Sequence, residues 1–412
     1  MNEAVTKGWC PSLFEPMNAA DGLLVRIKPP GAKLGLVAAR RLAQASGQFG
    51  NGAIELTGRA NLQVRGLSAE GIAPFAEEIV AAGLADRNPA IERRRAVIHP
   101  PLADDDPTAA RHASALATEI ETVLAGDERF ARLPAKFAVA VDGGGLLPLG
   151  ETAADLRVIC AHGRSLIAPA GAMLAAEVMD AGVIAAVARL AEVFLELSSR
   201  CASRPRRMRA LIGKIGRAPF FAAAGFQNLA PVPPFPSLRS VGWLAYPDGA
   251  AGAFGLGLMF GAMTASLLAA LADLAGEYGD ATLRLTPWRT LVLPGIAERD
   301  ASMLRKKALG LGLIVEPTDP RRALFACPGR TGCASASVDA RADAVLLSNL
   351  VLRSVVHVSG CSKGCAHPEA APVTLVGEDG RYALIRNGRA QDRPMLRGLT
   401  MREAIDALGK SA

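Results

Sequence analysis

The sequence predicts an α+β protein built on an internal duplication, and three observations carry that prediction. A helix–turn–strand unit occurs twice, proline clusters set the two copies apart from the segment between them, and four of the cysteines are confined to the last part of the chain.

The duplication comes first. Residues 42–67, LAQASGQFGNGAIELTGRANLQVRGL, align without a gap on residues 271–296, LADLAGEYGDATLRLTPWRTLVLPGI. Leu42, Ala43, Gly47, Gly50, Leu56, Thr57, Leu62 and Gly66 are identical to their counterparts, more than chance supplies even in an Ala- and Leu-rich chain. Each copy reads as a helix, a glycine-marked turn and a strand, and each follows an earlier strand, LLVRI or FGLGL. Two such units are expected to pack about a pseudo-twofold axis.

The remaining elements fall around this repeat. IHPPLADDDP (98–107) closes the first copy's neighbourhood and APVPPFPS (230–237) opens the second, because runs so rich in proline form neither helix nor central strand. Between them lie a helical pattern over 108–125, the strand KFAVAVDGG and the helix GVIAAVARLAEVFLELSS. Residues 300–412 carry the cysteine pairs and a strand pattern, RYALIRNG.

The 412-residue chain carries a net charge of +7, which favours acidic ligands such as phosphates or polycarboxylates. Nucleic acid is not expected, since no dense Lys/Arg run with interleaved aromatics occurs. The most basic segment, RPRRMRALIGK, reads as a solvated helix face. MNEAVTKGWCPSLF lacks the apolar core of a secretory signal. Gly249–Ala272 is free of charge and long enough to span a bilayer, but it reads as a strand, a turn and a buried helix capped at Gly276. No membrane association and a cytoplasmic location are expected.

Seven cysteines is an odd number, and a disulfide framework is not expected in the cytosol. Cys10, Cys160 and Cys201 are isolated, and the last two read as small core hydrophobes. FACPGRTGC and VSGCSKGCAHP pair Cys327 with Cys333 and Cys361 with Cys365. Structural zinc usually takes tighter knuckles. A cubane needs ligands on separate corners, so C-x5-C with C-x3-C favours a [4Fe–4S] cluster, with zinc or unliganded thiols as alternatives. Gly329, Gly332, Gly360 and Gly364 allow tight backbone there, and Pro328 and Pro368 stiffen it.

Strand alternation places Arg26 and Lys28 on one face of LLVRIK and lets Lys136 begin a face of KFAVAV. Arg59 and Arg289 open the last strands of the two repeats, and Arg95 lies in RRRAVIHPP. Singly each reads as an exposed charge; together they could line a basic cavity for an anion with several carboxylates. The five histidines form no metal motif; His367, beside the cysteines, is either structural or an iron ligand. GLGLMFG is not a dinucleotide fingerprint, so electrons would come from a separate protein.

Duplicated α/β halves with a C-x5-C…C-x3-C site resemble the nitrite/sulfite reductase superfamily, in which a cluster sits beside sirohaem held between the repeats. ELTGRANLQVRG is similar to the first-repeat signature, which implies Thr57, Arg59 and Gln63 at a tetrapyrrole site. LPAKFAVAVDG resembles the family's Leu-Pro-Arg-Lys-Phe-Lys strand and RRAVIHPPLADDDP its Arg-Asn segment, which implies Arg26, Arg95 and Lys136 around the reducible anion. The chain departs from that pattern at Ala96, Ala135 and Ala138, where the family has asparagine, arginine and a second lysine. The resemblance implies ferredoxin-like half-domains at 1–70 and 236–300, an α/β domain at 71–235 and a cluster-bearing α/β domain at 301–412.

CPSLFEPMNAADGLLVRIKP, LRLTPWRTLVLPG and VSGCSKGCAHP together resemble one branch, the precorrin-3B synthases, over nearly the whole chain. That resemblance implies a monooxygenase of aerobic cobalamin synthesis that hydroxylates precorrin-3A at C20 using O2, with γ-lactone formation. It implies a [4Fe–4S] cluster on Cys327, Cys333, Cys361 and Cys365, a mononuclear non-haem iron in place of sirohaem, and a separate NADH-linked electron donor. Arg26, Arg59, Arg95, Lys136 and Arg289 would grip substrate carboxylates. The alternatives are a sirohaem nitrite or sulfite reductase, with Cys365 bridging to the haem, and a non-catalytic metal-binding protein stapled by its thiols.

Overall fold

The register that aligns the repeat in sequence also aligns its backbone in the computed structural model, which describes residues 10–150, 152–236, 240–247, 249–348 and 354–409. Residues 1–9, on which the signal reading partly rests, and Ser237 of the second proline cluster lie outside these. Strand Gly22–Ile27 corresponds to Ala251–Gly257, helix Leu36–Phe49 to Ala265–Tyr278, strand Ala53–Leu56 to Thr282–Leu285, and strand Leu62–Leu67 to Thr290–Ala297. Left-handed backbone recurs at matched positions: Gly31 with Phe260 (φ 63° and 59°) and Ala60 with Arg289 (φ 55° and 60°). Side-chain-bearing residues seldom adopt this conformation, so its recurrence in both copies is strong evidence of duplication.

The two halves interlock by exchanging a strand. Lys33–Gly35 leaves its own half and pairs with Thr282–Leu285, Leu34 beside Leu283, while Ala262–Thr264 pairs with Ala53–Leu56, Met263 beside Ile54. Each half therefore completes the other's five-stranded antiparallel sheet. The helices Leu36–Phe49 and Ala265–Tyr278 pack on each other over a common core that includes Leu34, Leu42, Leu271 and Leu283. Apolar residues recur on one face of each helix, and burying each leucine contributes about 1.5–3 kcal/mol.

The uncharged stretch 249–272 is a strand, a turn and a helix, as expected, but the helix does not stop at Gly276. It continues to Tyr278, and the Gly279 N–H closes it on the Ala275 carbonyl at 3.0 Å. Gly276 instead faces the partner helix, where a Cβ would meet Leu36 Cδ1 at 3.5 Å. Among the described residues no helix is long and apolar enough to cross a membrane.

Between the halves a six-stranded sheet contains Val97–Ile98, Val139–Asp142 and Leu156–Cys160 as parallel neighbours. Helices Ala113–Gly126 and Val183–Arg200 cover it, and Phe137, Val139 and Val141 point into their shared core. The proline-rich segment supplies only the edge strand Leu229–Pro231, where a missing N–H is tolerated. RPRRMRALIGK forms helix Met208–Ile215 with Met208, Leu211 and Ile212 buried.

The C-terminal sheet has the order Leu324–Ala326, Val356–Ser359, Ala371–Glu378, Arg381–Gly388, Leu396–Leu399. Its first three strands are parallel and the rest antiparallel.

Candidate active site

Both cysteine loops leave the same edge of the C-terminal sheet. Leu324–Ala326 runs parallel to Val356–Ser359 with Ala326 beside Val358, so Cys327 and Cys361 emerge next to one another at the carboxyl ends of adjacent strands. Such edges are where parallel sheets place their ligands. The Gly360 N–H donates to Cys327 Sγ at 3.1 Å. A side chain at 360 would bring its Cβ within 2.5 Å of Ala336 Cβ, so this close approach requires glycine. Lys363 Nζ donates to Ser335 Oγ at 3.3 Å and ties one loop to the other.

The four predicted thiols come together here. Burial pushes the Cys365 thiol up, and Cys361, Cys327 and Cys333 push it further; Cys361 is raised by burial and by Cys333 and Cys327. Thiols that oppose one another's ionisation become ligands when a cationic centre is present to hold the thiolates. Among the described residues no three His, Cys, Asp or Glu side chains stand close enough to chelate a single ion. Four converging thiols on two glycine-rich loops could take the separate corners of a cubane.

A basic cavity lies where the first half meets the six-stranded sheet. It has about 40 Å³ of open space and is lined by Arg26, Arg59 and Arg95, and also by Ala96, Ala135 and Ala138. Arg26 stands at the end of strand Gly22–Ile27, Arg59 in the turn before Leu62–Leu67, and Arg95 just before Val97–Ile98. Arg26 donates to Gln63 Oε1 at 2.8 Å, while its buried Nε has no partner among the described residues. Burial and the nearby Arg207 lower Arg59 to about 10, so it remains cationic at neutral pH. Arg95 also lines the cavity, but Glu92 at 3.0 Å and Glu121 at 3.1 Å answer its charge.

The other two predicted cations stand apart. Lys136 is exposed in the turn before Val139–Asp142, and its carbonyl oxygen, not its ammonium, meets Arg59. Arg289 lies on the side of the cysteine loops: its guanidinium sits 3.9 Å from the Phe325 ring centroid and donates to the carbonyls of Leu324 and Arg322 at 2.6 and 2.8 Å. It therefore braces the strand that leads into Cys327. His367 stacks on Phe325 at 4.6 Å, with His357 5.9 Å away. Burial and the charge of Arg289 lower His367, while burial and His367 lower His357 to about 4. Thr57 Oγ1 is occupied by the turn, accepting from the N–H groups of Arg59 and Asn61.

Lys28, which strand alternation set on the Arg26 face, also lines the cavity. Its Nζ donates to the carbonyls of Glu92, Arg93 and Arg95 at 2.9, 2.9 and 2.7 Å, closing the end of helix Pro89–Arg94, and burial lowers it to about 8. Other neighbours escaped the sequence reading. Arg65 holds Asp21 through two bonds of 2.9 Å and also donates to the carbonyl of Gly332, beside Cys333. The alternation of Gln63 and Arg65 along LQVRG was the available signal for that face.

The profile of the nitrite/sulfite reductase ferredoxin-like half domain matches residues 15–82 and 246–309. A precorrin-3B synthase from Sinorhizobium sp is 32% identical over 408 residues, covering 95% of this chain and 85% of that protein. A ferredoxin–nitrite reductase from Synechococcus elongatus is 25% identical, covering 90% and 78%. The structure of the Mycobacterium tuberculosis NirA protein superposes with a TM-score of 0.73 at 22% identity, over 94% of this chain and 79% of that one, and so shares the fold. With its duplicated ferredoxin-like halves and a curated relative of this similarity along nearly its whole length, the chain belongs to the precorrin-3B synthase family, oxidoreductases of the nitrite/sulfite reductase superfamily.

Proposed function

We propose that this chain hydroxylates precorrin-3A at C20 with O2, an acetate side chain closing a γ-lactone, in aerobic cobalamin synthesis. One observation carries this reading over anion reduction: Ala96, Ala135 and Ala138 line the same cavity as Arg26, Arg59 and Arg95. In the reductase pattern these three positions carry polar or cationic side chains. A small oxyanion gaining electrons needs such concentrated charge, and here methyl groups replace it.

The residues that remain suit a polycarboxylate macrocycle. Arg26 and Arg59, which line the cavity, each take a substrate carboxylate and so fix the ring's orientation. Arg95, held by Glu92 and Glu121, supports the wall.

Cys327, Cys333, Cys361 and Cys365 would hold a [4Fe–4S] cluster, which supplies single electrons when bound. With no nucleotide-binding fingerprint in the sequence, a separate NADH-linked protein is the donor. A mononuclear non-haem iron belongs to the same reading, and His367 would offer one donor for it.

The reaction consumes O2, two electrons and two protons, placing one oxygen atom in the product and the other in water. Incubating the reduced protein with precorrin-3A under 18O2 tests this by mass spectrometry. The expected product gains one 18O atom. Product without label, or consumption of nitrite or sulfite by a sirohaem-containing protein, would overturn the reading.

A further inference from the structure

The cavity and the cluster loop are joined by a continuous polar chain across one sheet face. Arg26, Gln63 and Glu55 stand directly beside one another on three neighbouring strands. Arg26 donates to Gln63 Oε1 at 2.8 Å, and Gln63 Nε2 donates to Glu55 Oε2 at 3.1 Å. The same carboxylate oxygen lies 3.8 Å from Arg65 Nη1, and the other oxygen pairs with Arg341 at 2.8 Å. Arg65 in turn holds the carbonyl of Gly332, and Arg341 belongs to helix Ala340–Leu347 of the cluster-bearing sheet. Glu55 and Arg65 are buried, at 7% and 5% exposure.

We propose that Glu55 is a positioning residue that couples occupancy of the cavity to the electronic environment of the cluster, a proposal that rests on the cluster reading above. A buried carboxylate shared by an amide and two guanidinium groups cannot change its bond to one without changing its hold on the others. A substrate carboxylate that engages Arg26 competes for the N–H groups now given to Gln63. The Gln63 amide then binds Glu55 less firmly, Glu55 neutralises Arg65 more fully, and the field of Arg65 at the Cys333 loop weakens. Less positive charge beside the cluster lowers its reduction potential.

The test is a double-mutant cycle on the full-length, cluster-loaded protein, read by anaerobic potentiometric titration. Arg26→Met stands in for an Arg26 drawn away from Gln63, and Gln63→Met cuts the chain at constant side-chain length. The coupling predicts that Arg26→Met lowers the midpoint potential when Gln63 is present and has little further effect in the Gln63→Met background. It also predicts that Glu55→Gln raises the potential, because Arg65 loses its counter-charge. Equal shifts from Arg26→Met in both backgrounds would mean a through-space field effect alone and would overturn the proposal.

Iron and sulfide analysis of the same preparations separates the two claims. If no cluster is present, the cluster reading fails, and hydrogen exchange over residues 329–333 in the same variants still tests the coupling. Arg26→Met is then expected to quicken exchange only where Gln63 remains, and identical exchange in both backgrounds would refute it. Thermal melts identify any variant that fails to fold, with Gln63→Leu as the replacement cut.

Discussion

Arg59 Nη2 donates to the carbonyl oxygen of Lys136 at 2.5 Å, joining the turn of the first repeat to the approach to strand Val139–Asp142. The bond closes one side of the basic cavity and leaves the rest of the guanidinium available to a ligand. Replacing Arg59 with alanine is expected to weaken binding of precorrin-3A by about 10- to 100-fold, the range of a lost charge-assisted bond of about 1.5–3 kcal/mol. Equilibrium binding followed by the ligand's absorbance measures this. Unchanged affinity would mean that the tetrapyrrole lies elsewhere.

The cysteine loops make a sharper prediction. Cys361→Ala is expected to weaken brown absorbance and to reduce iron and sulfide together, because one corner iron loses its protein ligand. Cys160→Ala is the control, since that thiol is buried in the six-stranded sheet and pushed up to about 12 by burial and by Asp142. Cluster content that survived Cys361→Ala would remove that thiol from the ligand set.

Glu121 predicts the acid limb of stability. Burial opposes its ionisation, but His99 and Arg95 outweigh burial and hold its carboxyl at about 2. Its native value is below its unfolded one, so its contribution is complete above pH about 4.5 and is lost as pH falls towards 2. The loss is on the order of 2–3 kcal/mol. Urea titrations between pH 5 and pH 3 are expected to show a shallower decline in Glu121→Gln than in the unmodified protein. Parallel declines would assign the acid limb to other groups.

Strand exchange predicts where the duplicated core is most sensitive. Leu34 is fully buried and pairs with Leu283 of the other half. Leu34→Ala is expected to cost about 2–5 kcal/mol in denaturant unfolding. A loss below 1 kcal/mol would show that the exchanged strand is dispensable.

The duplication was legible because its signals are local: matching glycines, helix periodicity and strand alternation survive in each copy. The convergence of the four thiols was legible for the same reason, as short spacings within two loops. The strand exchange was not, since nothing in KLG or AMT records which sheet it joins. Gly276 misled because a glycine near a helix end reads as a stop, whereas here it serves a helix crossing. The cavity was half legible. Arg26, Arg59 and Arg95 converge as the pattern suggests, yet only the fold reveals that Arg95 is answered by two carboxylates and that Arg289 faces the cysteine loops. Glu55 and Arg65 depend on contacts between distant segments, which periodicity cannot register.

The most direct test of a sirohaem-free oxygenase is one anaerobic preparation analysed by visible spectroscopy together with iron, sulfide and haem determination. The expected result is a broad brown iron–sulfur spectrum, iron and sulfide in cluster proportions, and no chlorin-type band. A strong sirohaem band would contradict it and make the protein an anion reductase.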